Sequence, residues 1–72
     1  MKVYNANSLQ DLLDQTGMTF PELAWEVRMR TGHLITTQTA KRWVGETAPS
    51  ANTLCALADV FHVPMETFFS EE

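Results

Sequence analysis

Apolar residues recur along this chain at helical spacing. Leu9, Leu12 and Leu13 fall at i, i+3 and i+4, one stripe of a helix that starts with Asn7 or Ser8 as cap and runs to about Thr16. Gly17 follows as a left-handed stop. Thr19 and Glu22 then form a T-x-x-E capping box, with Met18 and Leu23 at the staple positions and Pro21 in the first turn, where no amide partner is lost. The stripe Phe20, Leu23, Ala24, Val27 predicts a second helix that fades near Thr31 and Gly32. Thr36 is a third N-cap, with Ile35 and Ala40 as a weaker staple. The helix from Thr37 to about Val44 buries Ala40 and Trp43 and stops at Gly45, so Thr37, Gln38, Lys41 and Arg42 share its other face. Pro49-Ser50 opens a fourth helix whose stripe is Leu54, Leu57, Ala58, Phe61. Pro64 begins a short fifth, with Phe68 inward and an acidic end, Ser70-Glu71-Glu72. Residues Met1 to Asn7 are an irregular or short extended arm, and no strand pattern alternates. The fold expected is all-α, a compact bundle of about five short helices.

Length supports one domain over residues 1–72, since a chain of 72 residues hides only about 60% of its unfolded surface and has no material for a second core. Apolar content of 44% with 19% charged residues excludes an acidic disordered chain. A single cysteine, Cys55, excludes an internal disulfide framework, and the spacing of Cys55, His33 and His62 matches no zinc pattern. Cys55 is expected as a small buried residue of the fourth helix. One cysteine and two histidines form no nucleophile–base–orienter set, and no glycine-rich phosphate loop occurs, so neither enzyme activity nor a cofactor or metal is expected. Without a signal pattern or an apolar run near the roughly 20 residues of a membrane span, the expectation is a soluble cytoplasmic protein with no membrane partner.

Net charge is −4, which by itself argues against nucleic acid. Its distribution changes that picture. Residues 27 to 45 hold Arg28, Arg30, Lys41 and Arg42 and no acid (+4), while the remainder holds Lys2 and all nine acids (−8).

Two successive helices, the second with polar and basic residues on its outer face, are the pattern of a helix-turn-helix. The chain resembles the Cro/C1-type (XRE-like) helix-turn-helix family of phage repressors and bacterial regulators, with a lambda-repressor-like fold. The resemblance is carried by Met18 to Ala24, by Thr36 to Trp43, and by Gly45, Pro49-Ser50, Leu54, Leu57-Ala58, Phe61-His62-Val63 and Met65 to Phe69. It covers roughly residues 8 to 70. It implies that Thr37 and Gln38 reach bases in the major groove, with Thr36 at their cap, that Arg42 one turn later reads a base or holds a phosphate, and that Lys41 lies beside them. Glutamine pairs bidentately with adenine and arginine with guanine. The resemblance also implies double-stranded operator DNA as partner and a homodimer formed through the last helix, with Met65 and Phe69 as interface candidates. The other reading of those two residues is that they cap the core.

The chain departs from that family in a longer stretch from Arg28 to Ile35, filled by a longer second helix or a wing-like loop. It also lacks basic residues at Glu46-Thr47-Ala48, and Phe20 stands where a phosphate-binding glutamine is common. Arg28 and Arg30, with His33, are the residues that would hold phosphates in their place. Trp43 is expected in the core, and Trp25 packs under the long segment or marks a partner surface. The resulting function is a small sequence-specific DNA-binding regulator, phage- or plasmid-like, repressing from a roughly palindromic site. The rival is a module of the same fold that binds protein, such as an antirepressor, a transcription-machinery inhibitor or an acidic antitoxin, for which a charge of −4 is suited.

Overall fold

A computed structural model describes residues 1–45 and 47–71. Glu46 and Glu72, named above for the loop after the third helix and for the acidic end, lie outside the described residues. The order of elements is strand β1 (Lys2–Tyr4), helix α1 (Ala6–Thr16), α2 (Phe20–Thr31), α3 (Thr37–Arg42), α4 (Ala51–Phe61), a 3-10 helix (Met65–Phe68) and strand β2 (Phe69–Glu71). The chain is mostly helical, as expected, but the described residues form four α-helices rather than five.

Local signals account for most of these boundaries. Thr19 accepts from the Glu22 amide while Glu22 reaches back to the Thr19 amide, closing the expected capping box. Thr36 and Ser50 cap α3 and α4 through the amides of Thr39 and Thr53. Gly17 (φ 72°) and Gly32 (φ 75°) end α1 and α2 in the left-handed region that glycine enters without steric cost. The segment from Arg28 to Ile35 resolves in favour of the longer helix, since α2 continues to Thr31.

Four expectations are corrected. α1 is capped by Asn5, not by Asn7 or Ser8: the Asn5 side chain accepts from the Asn7 amide at 3.0 Å, and the Asn5 amide is fixed by the Phe68 carbonyl at 2.7 Å. Second, the fifth helix is a single 3-10 turn that gives way to a strand. β1 and β2 pair antiparallel, Lys2 with Glu71, Val3 with Ser70 and Tyr4 with Phe69. Third, α3 stops at Arg42 rather than Val44, because Trp43 bonds back to the Ala40 carbonyl and tightens the turn. Fourth, Cys55 is exposed. The core-facing positions beside it belong to Leu54 and Leu57, and the Cys55 thiol instead meets the Met65 sulfur at 3.4 Å.

One hydrophobic cluster joins every helix. Leu9 and Leu13 of α1, Leu23, Ala24 and Val27 of α2, Ala40 of α3 and Leu54, Ala56 and Leu57 of α4 meet Trp43 and Phe68. Met65 and Phe69 are half-buried against this cluster, in line with the reading that they cap the core.

Tyr4 ties the terminal sheet to the rest. Its hydroxyl donates to the backbone carbonyl of Trp43. Burial pushes this phenol from 10.0 up to about 12. The folded protein therefore keeps a proton that the unfolded chain releases. The contribution of Tyr4 to stability is fully present below pH 10.0 and is lost as pH rises to about 12. Tyr4 is the sole tyrosine, so phenolate absorbance reads it alone. We expect a titration midpoint near 12 in buffer and near 10.0 in denaturant. Equal midpoints in the two would contradict the burial, and Tyr4→Phe should remove this part of the alkaline loss.

Candidate nucleic-acid interface

Six residues are too few for a helix to persist alone, so α3 owes its geometry to its anchors. At its start, the Thr36 hydroxyl accepts from the Thr39 amide at 3.2 Å and meets the Thr39 hydroxyl at 3.0 Å. Inside, Ala40 is fully buried and Trp43 is nearly so. At its end, the amides of Gly45 and Thr47 both donate to the Arg42 carbonyl, folding the following chain back over the helix terminus. α3 packs chiefly against α2.

This anchoring sets the outer face. Gln38, Lys41 and Arg42 stand at i, i+3 and i+4 and are all exposed, as is Thr36. Thr37 is half-buried. Among the described residues, no ion pair involves Lys41 or Arg42. Two cations and an amide thus share one surface, none held by a carboxylate among the described residues.

The two arginines of α2 are not brought together. At 100° per residue, positions 28 and 30 lie on opposite flanks of the helix. Arg30 turns toward α4: Nε donates to Asp59 at 2.6 Å and Nη1 to Glu26 at 2.8 Å. Those hydrogen bonds, to Asp59 first and Glu26 second, raise its already high pKa. Arg30 is thus committed to two carboxylates instead of standing free for a phosphate. The Glu26–Arg30 half of this network was readable at i, i+4. The Asp59 half was not, since 29 residues separate the partners. Arg28 lies over the Trp25 ring, 5.9 Å from its centroid. Trp25 does not pack under the segment that follows α2; it is 57% exposed. That decides against the packing alternative, because Leu23, Ala24 and Val27 already occupy the inner face of α2. His33 is also exposed, with its amide on the Thr31 hydroxyl.

The chain matches no family model, no curated protein and no solved structure. Among the described residues, no helix is long and apolar enough to cross a membrane.

Proposed function

We propose that the protein is a small sequence-specific DNA-binding regulator, a phage- or plasmid-like repressor working in the cytoplasm. In this reading α2 and α3 are the two helices of a lambda-repressor-like helix-turn-helix, joined by residues 32–36. The observation that carries it is the exposed cluster Gln38, Lys41 and Arg42, free of ion pairs among the described residues, on a helix locked by Trp43. Gln38 and Arg42 read base edges in the major groove, Lys41 holds a phosphate, and Thr36 and Thr37 support the first turn. The longest extent of the chain is 31 Å. One copy carries one α3, so two half-sites about 34 Å apart require two copies. Repression follows when the bound pair covers the site that polymerase needs.

The test is selection from a random duplex-DNA pool at about 100 mM salt, where screening is already appreciable. One motif should be enriched. Gln38→Ala and Arg42→Ala, both at exposed positions, should each relax one base position by about 1–3 kcal/mol while leaving stability within about 0.5 kcal/mol. Absence of any enriched motif, at that salt and at lower salt, rejects the reading.

A second reading is favoured by a different observation. Asp11, Asp14, Glu22, Asp59, Glu66 and Glu71 are all exposed, giving an acidic body suited to a basic protein partner. If selection fails, charge reversal at Glu66 and Glu71 should abolish capture of such a partner, and Gln38→Ala should leave it intact.

A further inference from the structure

The outer face of α2 carries two large apolar side chains that the core among the described residues does not cover. Trp25 and Met29, four residues apart and therefore neighbours on the helix, are 57% and 63% exposed. Beside Trp25 runs an open groove of about 340 Å³ lined by Met18, Pro21, Glu22 and Glu26. Charge along α2 is ordered: the acids Glu22 and Glu26 come first, and the bases Arg28 and Arg30 follow. Glu26 and Arg30 are spent on each other and on Asp59. Glu22 and Arg28 remain as the charges flanking the exposed apolar pair, each three residues from Trp25, one before it and one after.

That arrangement is its own complement under reversal. An acid–tryptophan–base pattern read backwards is base–tryptophan–acid, which is what the same helix presents when it approaches antiparallel about a two-fold axis. We propose that this face binds a second copy of the chain. The axis passes beside Trp25 and sets the two tryptophans together. Glu22 of each copy then faces Arg28 of the other, and Met29 of each enters the groove beside Pro21 of the other. Antiparallel helix dipoles agree with this direction. Glu22 uses Oε1 in the capping box, and Oε2 has no partner among the described residues. Arg28 is already held near the axis by the Trp25 ring, which lowers the ordering cost of pairing. The surface is small against the roughly 1,200 Å² of the least extensive stable interfaces, so association is weak, with a dissociation constant of about 10 μM to about 1 mM. The pairing does not depend on whether α3 reads DNA. It uses residues separate from the Met65 and Phe69 expected at the interface, which are half-buried against their own core.

Sedimentation equilibrium of the full chain, from about 10 μM to about 1 mM, tests it. The wild type should show a monomer–dimer equilibrium. Trp25→Ala should raise the dissociation constant about tenfold or more, as loss of a central aromatic anchor does. Arg28→Glu and Glu22→Lys should each do the same, since either change sets like charges face to face at both ends of the contact. An equimolar mixture of those two variants should recover the dimer. In the mixed pair each new carboxylate faces a new ammonium, and each native Glu22 faces a native Arg28. Glu22→Lys also removes the capping box, so circular dichroism must accompany it; Trp25→Ala and Arg28→Glu have no capping role and keep the test readable. A wild type monomeric at the highest concentration overturns the proposal. So does a dimer indifferent to Trp25→Ala and Arg28→Glu. Failure of the mixture to recover overturns the antiparallel pairing.

Discussion

Phe68→Ala is expected to remove a large part of the protein's stability. Phe68 is the largest side chain among the fully buried residues. It is supplied by a 3-10 helix that packs against both α1 and α4. Truncating a buried phenylalanine costs about 3–5 kcal/mol, from lost transfer energy and from the cavity left behind. A chain of 72 residues has a total stability of only about 4–11 kcal/mol. The midpoint of thermal unfolding should therefore fall by roughly 12–40 °C. The consequence extends beyond the cavity. The Phe68 carbonyl holds the Asn5 amide, and Asn5 caps α1, so loosening the 3-10 turn also loosens the start of the first helix. Phe69→Ala is the comparison: one residue away, half-buried and on the strand, it should cost clearly less. Thermal and urea unfolding followed by circular dichroism measure both. Equal losses for the two would show that the sheet, not the core, is what Phe68 supports.

Trp43→Ala should have a similar energetic effect and a different functional one. Trp43 is 5% exposed and forms the last contact of α3 with the core. Its truncation should cost about 3–5 kcal/mol. Because α3 has six residues and no stability of its own, the loss falls first on the orientation of Gln38, Lys41 and Arg42. If α3 reads DNA as proposed, Trp43→Ala is expected to abolish sequence-specific binding altogether, whereas Gln38→Ala only relaxes the motif. The Tyr4 hydroxyl bonds to the backbone carbonyl of residue 43, which the substitution keeps, so the terminal sheet has a partner even in the variant. Fluorescence separates the two tryptophans: Trp25 is exposed and Trp43 buried, so the variant should lose the blue-shifted component and retain the red-shifted one. Trp43→Phe should restore most of the stability and the binding. Binding by Trp43→Ala with undiminished specificity would mean that α3 is held by something other than this anchor.

Most of the helical scaffold was legible because its causes are local. Capping reaches two or three residues, as in Thr19 with Glu22, Thr36 with Thr39 and Ser50 with Thr53. Apolar stripes repeat every three or four residues, and left-handed stops depend on one glycine. The outer face of α3 followed in part from the same periodicity: once Ala40 and Trp43 point inward, Gln38, Lys41 and Arg42 cannot, whereas Thr37, expected on the same face, is half-buried.

What the chain alone could not disclose lies in pairings between distant residues. The terminal sheet joins three residues at each end of the molecule, and a strand of three is too short to display an alternating pattern. The Asn5 cap depends on a carbonyl at residue 68, and the commitment of Arg30 depends on Asp59. Cys55 was misplaced, and Trp25 left open between packing and a surface position, for a related reason. Apolar character says that a residue gains by burial, but not whether space remains once stronger claimants fill the core. Sequence by itself determined the α-helices and the surface that α3 turns outward, through interactions spanning a turn or less. Only the tertiary structure decided which charges are paired and which aromatic stays exposed, because both depend on which remote residues arrive first at the same volume.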